Sequence, residues 1–152
     1  MHIVLVEPEI PGNTGNIARL CAATGAELHL VKPLGFSIAD KQLKRAGLDY
    51  WHLLKVHVYE NIAEVFVAYP HGRFFYNTTK AVRSYSEIEF VPDDFIVFGR
   101  ETAGLPAELL ADNPNYCLRI PMVDGARSLN LSNAVAIVLY DALRQNAFAG
   151  LV

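Results

Sequence analysis

Short apolar runs and segments of helical period alternate along this chain from end to end, and that alternation is the tightest constraint on its fold. Residues 2–8 read as a buried strand. Asn13 then opens a helix, with Ile17, Leu20, Cys21 and Thr24 at helical spacing and Gly25 as its stop. Residues 27–33 form a second strand, 39–46 a short basic helix ended by Gly47, and 53–59 a weaker strand. A helix over 61–68 runs up to Pro70. Strands follow at 73–79, 94–99 and 116–122, with a short helix at 106–112 and a long one at 131–148. Such alternation builds βα units, hence an α/β fold with a mainly parallel sheet and helices on both faces. With 152 residues and no linker, repeat or low-complexity tract, one domain over 1–152 is expected.

In sheets of this kind ligands bind at the carboxyl ends of the strands, and three polar loops fall there. The first, NTGNIAR, begins at Asn13, a residue type favoured as a helix cap. Capping does not account for Arg19, which shares a helix face with Asn16 and points with it towards the strand ends. The second, GRETAGLP at 99–106, lacks the Lys-Ser/Thr of a phosphate loop, and no G-x-G-x-x-G follows the first strand. A glycine-punctuated turn before a Pro-initiated helix explains much of it, but not Glu101 beside Arg100 in apolar surroundings. The third runs from Ile120-Pro121-Met122 through RSLNLSN at 127–133. Ser128, Asn130, Ser132 and Asn133 exceed what one helix start requires, which suggests hydrogen bonds to a ligand or between crossing loops.

Bulk composition narrows the partners. A net charge of −3 argues against indiscriminate coating of nucleic acid, although Lys41, Lys44 and Arg45 form a local basic cluster. Cys21 and Cys117 lie in different elements, which reads as a reduced, cytoplasmic protein. The five histidines are scattered without ligand spacing, so no metal site is expected. No run approaches the roughly 20 apolar residues of a membrane helix. A mean hydropathy of +0.20 and a final helix that is apolar nearly all round point to burial against a second copy, the alternative being a helix packed between sheet and neighbour within one chain.

Together, NTGNIAR, FGRETAGLP and IPM…RSLNLSNAVAIVLYDALR resemble the motif set of the SPOUT methyltransferases. More narrowly they resemble the TrmL (YibK-like) tRNA 2′-O-methyltransferases. EPEIPGNTGNIARLCAATGAELHLVKPLGF and KRAGLDYW match as well, so the resemblance spans essentially the whole chain. It implies a C-terminal deep trefoil knot, a rare exception to unthreaded folds, and a homodimer packed through it. The implied cofactor is S-adenosyl-L-methionine, leaving as S-adenosyl-L-homocysteine, with no metal. Asn77, Thr78, Gly99, Glu101, Gly104, Ile120, Met122, Ser128 and Leu129 are expected to line its pocket.

The implied substrate is the ribose 2′-hydroxyl of the wobble nucleotide, position 34, in leucine tRNAs. Arg19 matches the motif arginine. A guanidinium stays protonated and is a poor base, so Arg19 is expected to stabilise the developing alkoxide or hold the adjacent phosphate. Asn16, Glu101, Asn130 and Asn133 are expected in positioning roles, and Lys41, Lys44, Arg45 and Arg127 on RNA phosphates. Ala149-Gly150-Leu151-Val152 carries no basic tail, so if relatives hold tRNA with one, this chain is expected to bind it with the domain surface alone. Three alternatives stay open: the same chemistry on another tRNA position or rRNA, a non-catalytic RNA-binding module, and a small-molecule nucleotide enzyme.

Overall fold

The computed structural model describes residues 1–39 and 52–152; Lys41, Lys44, Arg45 and the basic helix expected around them lie outside the described residues. In chain order the elements are β1 (His2–Val6), α1 (Pro11–Thr24), β2 (Glu27–Val31), β3 (Val56–Tyr59) and α2 (Ile62–Ala68). β4 (Phe74–Asn77), β5 (Phe95–Phe98), α3 (Ala107–Asp112), β6 (Cys117–Leu118) and α4 (Leu131–Gln145) follow. Among the described residues six strands form one sheet in the order β3-β2-β1-β5-β4-β6, and every pairing between these strands is parallel. The expected α/β architecture is therefore observed.

Strand period decides which residues face which layer. Ile3, Leu5, Leu28, Leu30, Ile96 and Phe98 meet α1 and α4 through Ile17, Cys21, Val135 and Leu139. On the opposite face Val4, Val6, Val31 and Val97 meet Val65 of α2 and Leu105, Leu109 and Leu110 at α3. The central strands are apolar on both sides because both sides are covered. Among the described residues no helix is long and apolar enough to cross a membrane.

Several boundaries differ from the sequence reading, each for a local reason. β1 stops at Val6 because Glu7 takes left-handed backbone, φ 52. α1 starts at Pro11, whose fixed φ suits a first helical position, so Asn13 is not the cap but sits inside the first turn. The last strand shrinks to Cys117–Leu118: it lies at the sheet edge against β4, and Pro121 soon removes a ladder donor. α4 stops at Gln145 because Ala147 and Phe148 adopt positive φ. The Asn146 amide then donates to the Phe90 carbonyl.

The strand order reverses at β1 and β5, the two central neighbours. Chains leave them in opposite lateral directions, and their carboxyl ends open a crevice. Leu139 on α4 is fully buried beneath this crevice's layer. Leu139→Ala is expected to cost about 2–5 kcal/mol in urea denaturation. At the other end of the sheet, burial first and then neighbouring His2 and His57 push the His29 pKa down to about 3. The unfolded chain takes up that proton near its ordinary 6.5, so the neutral state's stability is complete above that pH. It is lost progressively as pH falls towards 3. Stability measured between pH 6.5 and 5 should decline less steeply in His29→Gln.

Candidate active site

The site is assembled where β1 and β5 end side by side. Left-handed Glu7 turns the chain out of β1, and its carboxylate lies 3.4 Å from Arg100 Nη1. Ile10, the residue before α1, offers no side-chain cap. Glu101, from the loop after β5, fills that role across the crevice. Glu9 N donates to its Oε2 (2.8 Å), while Ile10 N (3.1 Å) and Asn13 Nδ2 (3.2 Å) donate to its Oε1. A carboxylate at a helix N-terminus also meets the positive end of the helix dipole. The exchange is reciprocal: Thr102 N (3.0 Å) and Thr102 Oγ1 (2.9 Å) donate to Glu9, holding its carboxyl below the ordinary range.

The third loop joins through Asn13. Asn130 Nδ2 donates to Asn13 Oδ1 at 3.0 Å, and Asn130 Oδ1 caps α4 by accepting from Ser132 N (2.9 Å) and Asn133 N (3.4 Å). One run of hydrogen bonds thus crosses from the loop after β5, through the start of α1, to the start of α4. Of the surplus polar residues, Asn130 makes the bond between crossing loops, while Ser132 Oγ donates to Asn130 Oδ1 within its own loop. Glu9, Asn13 and Thr102 are the members that motif reading missed. The signal was the pairing of two charged loops, EPE and RET, at the ends of neighbouring strands.

Gly99 shows how tightly the second loop folds. A Cβ there would lie 2.1 Å from the Gly104 carbonyl carbon and 2.2 Å from Leu105 N. Arg100 and Gly104 exchange backbone hydrogen bonds of 3.2 and 2.9 Å, and Gly104 has φ 68.

Between these loops lies a cavity of about 600 Å³, within the roughly 300–1,000 Å³ usual for small-ligand sites. Asn77, Thr78, Gly99, Glu101, Gly104, Ile120, Met122, Ser128 and Leu129 all line it, as does Asn130. Asn77 Nδ2 is buried there with no hydrogen-bond partner among the described residues. Leu105, Leu110, Ile120, Met122 and Leu129 provide apolar wall, and Lys80, Arg100 and Arg127 provide cations. Arg127 is thus part of the cavity wall as well as exposed.

Asn16, Arg19 and Asn133 do not line this cavity. They are exposed on α1 and α4, which pack together on one face of the sheet. Asn16 and Arg19 do share a helix face, but it is the outer one, because Ile17, Ala18 and Cys21 take the buried side. Exposed Ile137 and Tyr140 lie on the same helix as Asn133.

Glu101→Ala would remove the borrowed cap of α1 and two contacts between loops. It should cost about 1–2 kcal/mol, the scale of a lost helix cap, read as a lowered urea midpoint with unchanged slope.

Similarities to known proteins bear on this geometry. Residues 1–140 match the SpoU rRNA Methylase family. A tRNA (cytidine(34)-2'-O)-methyltransferase of Methylovorus glucosotrophus is 54% identical over 151 residues, covering 99% of this chain and 98% of that protein. A structure described as giving insights into the 2-OH methylation of C/U34 on tRNA superposes with a TM-score of 0.92 at 44% identity, over 96% of this chain and 95% of that one. The SpoU methyltransferase AviRb of Streptomyces viridochromogenes, in complex with AdoMet, superposes at 0.85 with 25% identity, over 97% of this chain and 60% of its own. The TrmL-like SPOUT resemblance read from the motifs is borne out. The chain belongs to the SpoU rRNA Methylase family.

Proposed function

We propose that this chain, acting as one domain over residues 1–152, methylates the ribose 2′-hydroxyl of nucleotide 34 in leucine tRNAs, using S-adenosylmethionine. The observation that carries the reading is the three-loop cavity, in a chain about half identical along its length to a position-34 methyltransferase. The cavity suits the cofactor. Doubled backbone at Gly99–Gly104 gives main-chain groups close approach, and Ile120, Met122 and Leu129 can flank an adenine. Asn77 Nδ2 has a hydrogen bond left to give. When bound, S-adenosylmethionine supplies a methyl already activated by its sulfonium.

The chain's own task is then to align a weakly acidic hydroxyl and manage its charge. Arg100, Arg127 and Lys80 at the cavity are placed to take phosphates beside the reacting ribose. Arg19 stabilises the developing alkoxide, with Asn16 and Asn133 positioning the nucleotide. Because these three lie outside the lining of their own cavity, substrate or a second copy must bridge the gap. Ile137, Tyr140 and Phe148, 37–47% exposed at the outer side of α4 and beyond its end, support a homodimer. The run from β6 at one sheet edge back to α4 against α1 is compatible with the knotted path. A cytoplasmic setting, where tRNA is available, follows from the same reading.

An rRNA acceptor draws on the family's own description, and one assay separates the two. Label from S-adenosylmethionine should appear on the 2′-oxygen of nucleotide 34 when unmodified tRNA is mapped by nuclease digestion and mass spectrometry. Arg19→Ala should lower transfer by about 10²–10³-fold while cofactor binding persists. Gly99→Ala should lose cofactor binding and transfer together. Label at another nucleotide, or on rRNA alone, would overturn the substrate; bound cofactor without any label would overturn the activity.

A further inference from the structure

One strand length from the cavity, about 13 Å at the usual rise per residue, three neighbouring strands bring four titratable side chains to one sheet face. His2 of β1 pairs in register with Glu27 of β2, and His29 of β2 with His57 of β3. Glu27 and His29 are two residues apart, so they share a face. We propose that His2 Nδ1, His29 Nε2 and Glu27 Oε2 bind a divalent cation of the zinc class, with His57 or water completing the shell.

The geometry is near that of a metal centre. The three ligand atoms lie within 4.8 Å of one another, with His2 Nδ1 3.0 Å from His29 Nε2 and 4.0 Å from Glu27 Oε2. Ligands held 2.0–2.1 Å from a tetrahedral ion sit about 3.4 Å apart, so the two imidazoles part by about 0.4 Å and the carboxylate closes in by up to about 1.4 Å, a change of side-chain rotamer angle and not of backbone, to admit one. His57 Nε2 is 3.0 Å from Glu27 Oε2.

The surroundings favour ligation over a purely hydrogen-bonded cluster. His29 Nδ1 contacts Tyr59 Oη at 3.1 Å, an outer partner that orients the ring with Nε2 towards His2. The His2 ring stacks on Phe95 with centroids 4.1 Å apart, and His29 stacks on His57 at 4.8 Å. Lys55 Nζ contacts Oε1 of Glu27, leaving Oε2 towards the histidines. A cavity of about 490 Å³, with Asp93 in its wall, opens at His2 and gives a cation a route in. Such an ion clips β1, β2 and β3 together at the end remote from the chemistry.

The test is titration of cobalt(II) into the full chain after chelator treatment, followed by displacement with zinc(II). One cobalt per chain is expected, with the intense visible bands of a low-coordinate site, and zinc should raise Tm. Glu27→Gln and His2→Gln should each weaken binding at least about tenfold, while His71→Gln, a histidine of the adjoining cavity, leaves it unchanged. X-ray absorption of the zinc-loaded unaltered chain should show imidazole scattering, which keeps the question decidable if a variant fails to fold. Absent bands, binding indifferent to Glu27→Gln, or a zinc shell without imidazole would overturn the proposal.

Discussion

The exchange of carboxylates between the first two loops is the interaction on which the site depends. Glu101 caps α1 from outside its own segment, and Glu9 returns the favour to Thr102. Hydrogen bonds to charged groups contribute about 1.5–3 kcal/mol each at most, and less where water competes. Several together are a sizeable fraction of a stability of roughly 5–15 kcal/mol. The loops are therefore pre-set, and a ligand entering between them spends little of its binding energy on ordering them.

The sheet explains why such a clasp is available here. Strand order reverses between β1 and β5, so the loops leaving these two strands are neighbours although Glu9 and Thr102 are 93 positions apart. Asn13 extends the clasp to Asn130 and ties the start of α4 to the start of α1. The same α1–α4 layer that buries Leu139 and Val135 thus fixes the third wall of the cavity. Core packing and site geometry are one construction, with polar contacts at the strand ends and apolar contacts beneath.

Much of this was legible in the residues. Strand and helix alternation announced the parallel sheet, and the family resemblance implied nine positions that line one cavity. What stayed hidden was relational. Asn13 has the residue type of a cap, and only the fold shows that Pro11 starts the helix and leaves Asn13 to bridge Glu101 and Asn130. Arg19 and Asn16 were correctly paired on one helix face, but periodicity does not say whether that face looks into a crevice or outwards. His2, His29 and His57 appeared scattered because parallel register, not sequence spacing, brings them together.

On this reading the clasped loops form a ready-made seat for the cofactor. A crystal structure with S-adenosylhomocysteine tests it most directly. Ligand density is expected between the Gly99–Gly104 backbone, Asn77 and Leu129, with Glu101 still accepting from Glu9 and Ile10. Density seated elsewhere, or loops that must part at Glu101 to admit the ligand, would contradict it.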